Sequence, residues 1–182
     1  ILISYDMPAL ALAEELYAKL LAQGYNVFPR PYLTENMNKI FFTSANDKQL
    51  KFVPEWEKVF TQNLNGLIAL RAPQDLTALK EADPKKIALA TIAKKGMRLI
   101  MDEREEKGLF SWTLANFPTD GLCAQANLSL KQYEEQIVKA CFLKEKDPVT
   151  KWRQVMAEVE EVSKRLSSLP IELIRTQSKD MD

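Results

Sequence analysis

The side chains of this chain that could ligate a metal ion are carboxylates and two cysteines, because its 182 residues include no histidine. The lack of imidazole excludes Ser-His-Asp and Cys-His nucleophile arrangements, and it excludes zinc sites with histidine ligands. An all-carboxylate site would have to draw on three adjacent pairs: Glu14 and Glu15, Glu105 and Glu106, Glu134 and Glu135. Adjacent side chains on a helix diverge by about 100°, so the members of a pair do not converge on one ion. The pairs therefore favour solvated helix faces.

The two cysteines, Cys123 and Cys141, form no CxxC spacing. Two cysteines make neither a Cys-only metal site nor a disulfide framework in a chain of this length, which indicates a reducing, cytoplasmic location. Cys141 follows Val138 at helical spacing and precedes Phe142, so we expect it to pack in the core. We expect both thiols to be inert.

Asp6 is the polar residue best placed for ligand binding, since it follows the first predicted strand and α/β folds bind ligands at strand carboxyl ends. It could bind a ribose or a cation, but an aspartate just before Pro8 is more typical of a helix start. The five glycines are scattered, so the chain has neither a GxGxxG motif nor a P-loop.

Composition excludes other partners. Lysine plus arginine equals aspartate plus glutamate at 25 each, which gives no electrostatic reason to bind nucleic acid or an anionic membrane. No apolar run approaches the roughly 18 residues of a membrane span. Trp56 lies between the acidic residues Glu55 and Glu57, which favours packing over base stacking.

Strand-like and helix-like segments alternate along the chain. The predicted strands cover residues 1–5, Val27-Phe28, 66–71, 109–116 and 171–174. The predicted helices cover 8–23, 35–42, 54–62, 84–108, 119–126, 129–143 and 147–168. Pro29 and Pro31 restrict the second strand to a sheet edge. The alternation predicts an α/β fold with a doubly wound, mainly parallel sheet of about four strands, and the last strand would begin a following domain.

The last predicted helix has an apolar stripe. A core-facing helix is the favoured interpretation, and a partner-binding helix is the alternative. The chain begins inside an apolar run without an initiator methionine and stops at Asp182 without a change in composition. We therefore expect it to be a piece of a longer polypeptide.

Four segments in the second half resemble the thermophilic metalloprotease family of aminopeptidase T and aminopeptidase S type. Residues 112–119 (WTLANFPT) match the family's W-T-x-x-x-(F/Y)-P-T segment, and 128–134 (LSLKQYE) resemble its MSLEEYE. Residues 139–143 match KACFL, and 147–152 match DPxxxW. Residues 179–182 fall where the family has TDL at the start of the next domain, with Met181 in place of the usual threonine.

The resemblance implies a two-domain, homodimeric aminopeptidase that removes N-terminal residues from peptides. Residues 1–168 would be the N-terminal, non-catalytic α/β domain, which helps to enclose the active-site cavity. Residues 169–182 would begin the catalytic domain. That domain would hold two divalent ions of the zinc, cobalt or magnesium class on Glu, His and Asp ligands. No catalytic, cofactor-binding or metal-ligating residue carries over to this chain. The alternative is a free-standing α/β ligand-binding or interaction module without catalysis.

Overall fold

The computed structural model describes residues 1–178, and its centre is a four-stranded sheet in the order β2-β1-β3-β4. Every neighbouring pair of strands is parallel. The strands are β1 (Leu2–Tyr5), β2 (Phe28–Pro31), β3 (Gly66–Arg71) and β4 (Ser111–Asn116). This confirms the predicted α/β class and the predicted parallel sheet.

Helices connect the strands and follow the sheet. They are α1 (Leu10–Ala22), α2 (Glu35–Ser44), α3 (Asp47–Leu50), α4 (Glu55–Asn63), α5 (Pro84–Ala93), α6 (Lys95–Glu106), α7 (Asp120–Ala126), α8 (Leu130–Ala140) and α9 (Pro148–Ser167). A short 3-10 turn at Met7–Ala9 precedes α1. The chain divides into two compact units, Ile1–Glu134 and Glu135–Asp182.

Apolar side chains pack on both faces of the sheet, as a doubly wound fold requires. On one face Ile3 and Leu70 form a cluster with Ala9, Ala13 and Ala72, and α1 covers them. On the other face the cluster consists of Leu2, Leu64 and Phe110, with Phe60, Leu67 and Met101 packed against it. The continuous apolar run of β3 is explained by this arrangement, because its alternate side chains enter different clusters.

β2 lies at the edge of the sheet, as its two prolines predicted. The amides of Phe28 and Tyr32 donate to the carbonyls of Ile1 and Tyr5, so the even-numbered amides of this segment point towards β1. The alternation of a strand then places the nitrogens of Pro29 and Pro31 on the outer side. The outer edge of β2 therefore offers no N–H donor from either residue.

Two predicted elements differ from the structure. The single helix expected over 84–108 is two helices that meet at Lys94. The amide of Lys94 donates to the carbonyl of Thr91, three residues earlier, and a new helix begins at Lys95. The strand expected over 171–174 is absent: Leu173 and Ile174 are exposed, and no strand is assigned between 171 and 177. The predicted TDL-like segment at 179–182 lies outside the described residues.

The second unit contains α9, and no residue of this helix is buried. Its core-facing interpretation is therefore wrong for this structure: Met156, Val159 and Val162 are each more than half exposed. Asp147 caps the helix by accepting from the amide of Thr150 at 3.1 Å, so the predicted start is confirmed. Among residues 1–178 no helix has the length and apolarity needed to cross a membrane.

Candidate functional site

The candidate site is the carboxyl edge of the sheet between β1 and β3. Here the chain leaves β1 towards β2 and leaves β3 in the opposite direction, towards β4. In open α/β sheets this reversal opens the crevice in which ligands usually bind. Asp6 fills the crevice here. Its Oδ2 accepts from the amide of Ala72 at 2.7 Å and lies 3.1 Å from Nε of Arg71. The Arg71 guanidinium in turn lies 4.5 Å from the centre of the Tyr32 ring.

Side chains from the other two strand ends hold the next residues after β3. Glu35, in the first turn of α2, accepts from the amide of Gln74 at 2.8 Å. Thr119 caps α7 and donates its hydroxyl to the carbonyl of Pro73 at 2.5 Å. The segment 71–74, which we call the β3 exit segment, is thus fixed by residues from the ends of β1, β2 and β4. It acts as a brace across the whole edge.

Gly121 brings α7 against this brace. A Cβ atom built on Gly121 would lie 2.7 Å from the carbonyl carbon of Gln74 and closer still to its oxygen. Only a residue without a side chain allows this approach. The close packing of α7 therefore depends on the glycine as much as on the Thr119 hydrogen bond.

An open cleft of about 560 Å³ lies beside the brace. Its lining carries both signs of charge, from Glu35, Lys39, Asp75 and Lys80. The amide of Gln74 lowers the pKa of Glu35 by hydrogen bonding to the charged form, and the hydroxyl and amide of Thr77 lower the pKa of Asp75. Both carboxylates are thus held ionised as hydrogen-bond acceptors. This favours a structural role over a role in proton transfer, for which a pKa near the working pH is needed.

The other residues considered from sequence do not join this site. All six members of the three glutamate pairs are exposed on helices. Cys123 is buried and Cys141 is half-buried, and each is a free thiol. Asp6 does sit at the start of the 3-10 turn, as a helix-start residue would, but its side chain makes no capping bond and binds the amide of Ala72 instead.

Nowhere among residues 1–178 do three Asp, Glu, Cys or His side chains converge as a metal site requires. Asp6 and Glu35 already accept from backbone amides. The described residues therefore do not fit a divalent metal pair.

Sequence reasoning missed the brace. Glu35, Arg71 and Thr119 each follow or end a strand, and that position was the available signal. What the sequence does not contain is the pairing of Asp6, Glu35 and Thr119 with a backbone segment 39 to 66 positions away.

Asp6→Ala is expected to lower the free energy of unfolding by about 2 kcal/mol, because the amide of the fully buried Ala72 loses its acceptor. Asp6→Asn keeps an acceptor oxygen and should cost less than half as much. Urea unfolding followed by circular dichroism measures both variants. Asp102→Ala is the control, since it removes only the exposed pair with Arg98. Equal losses for Asp6→Ala and Asp6→Asn would mean that the Ala72 bond contributes nothing.

The parallel sheet with helices on both faces defines a doubly wound α/β domain. At its carboxyl edge, side chains that follow the other strands hold the β3 exit segment in place. The chain belongs to the thermophilic metalloprotease family, whose sequence model matches residues 1–182. Among solved structures it is similar to wild-type AmpT from Thermus thermophilus, with a TM-score of 0.65 and 18% identity. The match covers 91% of this chain and 44% of that one, so this chain spans less than half the length of AmpT. At this identity the likeness shows a shared fold. No curated protein matches the chain.

Proposed function

We propose that this chain is the front, non-catalytic domain of a metal-dependent aminopeptidase, which removes N-terminal residues from peptides. One observation carries the proposal: the family match extends over residues 1–182, yet the chain spans only 44% of the length of AmpT. The residues that the chemistry needs would then lie in a second domain. The lack of histidine in this chain supports that division.

In this proposal residues 1–168 form the front domain and 169–182 lead into the catalytic domain. The two divalent ions, of the zinc, cobalt or magnesium class, belong to that second domain. The front domain supports a homodimer and limits the size of the peptides that reach the active site. The brace between the four strand ends suits this role, because a wall of a substrate cavity has to keep its shape. A cytoplasmic location is part of the same proposal.

A peptidase assay tests the division of labour. The 182-residue chain is expected to show no turnover of aminoacyl substrates with zinc, cobalt or magnesium, whereas the longer product of the same gene should show turnover that a chelator abolishes. Metal-dependent turnover by the 182-residue chain, with chelator and boiled-protein controls, contradicts the proposal. An inactive longer product also contradicts it.

One observation favours the second candidate, a free-standing ligand-binding module: an open cleft lies beside the brace at the strand carboxyl ends, and Lys39 and Lys80 line it together with Glu35, Asp75 and Glu81. A small anion such as phosphate or a nucleotide would be its ligand. A rise in melting temperature with phosphate or nucleotides would favour the module. The same rise absent in Lys39→Ala would place the ligand in this cleft.

A further inference from the structure

The exposed face of α9 carries an apolar seam of the kind that pairs helices. Its residues recur at alternating intervals of three and four, which keeps them on one stripe of the helix. The seam consists of Val149, Trp152, Met156, Val159, Ser163 and Leu166. Its large members are 44 to 59% exposed. An apolar stripe along a helix of 20 residues, about 30 Å, is long enough to bind another helix.

The spacing of the seam reads the same in both directions. Two copies of α9 that run antiparallel about a two-fold axis therefore bring every seam residue opposite another seam residue. Val149 meets Leu166, Trp152 meets Ser163, and Met156 meets Val159 of the second copy. The largest side chain lies opposite the smallest, as interdigitated packing requires.

The seam is flanked by Val155 and Val162 on one side and by Arg153 and Glu160 on the other. In an antiparallel pair each flank meets the same flank of the second copy. Val155 then lies beside Val162, and Arg153 beside Glu160, with each contact made twice across the axis. Within residues 1–178 Arg153 forms no ion pair, while Glu160 pairs at 2.6 Å with Lys164 and keeps a second carboxylate oxygen for a guanidinium.

Trp152 is held ready for this contact. Its ring meets Phe142 edge-on, with the ring centres 5.4 Å apart and the planes at 76°. A ring fixed on one side loses less side-chain freedom when its other side is covered. The tryptophan therefore serves as the anchor of the seam.

From these observations we propose that α9 is a self-complementary docking surface, on which a second copy of this chain binds antiparallel. The inference rests on the dimerisation part of the proposed function and names its interface. A parallel pair would place Arg153 near Pro148 instead of Glu160, so the charges specify the antiparallel arrangement.

Sedimentation of the 182-residue chain across the micromolar range tests the interface. The unmodified chain should form a dimer, and Arg153→Glu or Glu160→Arg should weaken dimerisation about tenfold or more, since each change turns two attractive pairs into two repulsive ones. The double variant Arg153→Glu/Glu160→Arg should restore it. The matched control is Glu161→Arg, which makes the same charge change away from the seam and should leave the dimer intact. Circular dichroism checks that each variant keeps its helix content.

A chain that stays monomeric overturns the inference, as does a dimer that tolerates both single charge changes or is not restored in the double variant. The peptidase test is separate: a longer gene product that is active while the 182-residue chain is monomeric would refute the α9 pairing and leave the proposed function standing. If that product is inactive while the dimer is sensitive to the charge changes, the proposed function is refuted and the α9 pairing stands.

Discussion

Gly121→Ala is expected to destabilise the protein by about 3 kcal/mol or more, near the upper end of what one added methyl group does. The new Cβ would meet backbone atoms of Gln74, which cannot rotate away. To make room, α7 has to move off the β3 exit segment, and the bond from Thr119 to Pro73 is stretched with it. Urea or thermal unfolding measures the loss.

Gly96→Ala is the matched control, because nothing lies within 4 Å of a Cβ at that position in α6. Alanine is the better helix former there, so this variant should be more stable by about 0.5 to 1 kcal/mol. If Gly121→Ala lowers the free energy of unfolding while Gly96→Ala raises it, the loss at Gly121 comes from its contact with the backbone of Gln74. If Gly121→Ala unfolds like the unmodified chain, the close approach of α7 to Gln74 is wrong.

Leu70→Ala is expected to cost about 3 to 4 kcal/mol. The side chain is 1% exposed and belongs to the cluster between the sheet and α1, and its removal leaves a cavity that Ile3 and Ala13 on two different elements cannot both fill. Chemical denaturation gives the change in unfolding free energy, and the slope with denaturant shows whether the unfolding remains two-state.

Leu114→Ala makes the same chemical change on β4, where the side chain is 52% exposed. It should cost less than about 1 kcal/mol, since much of that leucine already contacts water. Comparable losses at positions 70 and 114 would show that the apolar core is not centred on β1 and β3.

The central strands could be predicted from sequence because burial on both faces leaves a local signature. Gly66–Arg71 matches the predicted third strand at both ends, since its run of Leu, Ile, Ala and Leu is bounded by a glycine and an arginine. Pro29 and Pro31 predicted an edge strand for a reason that holds in any sheet, namely the missing amide hydrogens. Helix starts at Asp83 and Asp147 followed from the cap residue and the proline after it.

What could not be predicted depends on distant residues. The apolar periodicity of 84–108 continues through the break at Lys94, so the pattern alone does not show where the helix turns. The stripe on α9 predicts that one face is apolar, and says nothing about what covers it. Asp6 illustrates the limit at the site: its position after β1 was readable, whereas its bond to Ala72 depends on the register of β1 with β3.

The prolines of β2 also determine at which edge of the sheet a further strand could be added. A further strand, from the same polypeptide or from another molecule, finds no amide hydrogen at Pro29 or Pro31. It would find the amides of Trp112, Leu114 and Asn116 on the outer side of β4, because those of Ser111 and Phe117 donate towards β3 and the strand alternates; β4 contains no proline and has all six residues exposed. An added strand, in evolution or by design, is therefore expected beside Ser111–Asn116. Pairing of two copies through β2 is disfavoured, because the two prolines of that strand have no amide hydrogen to donate.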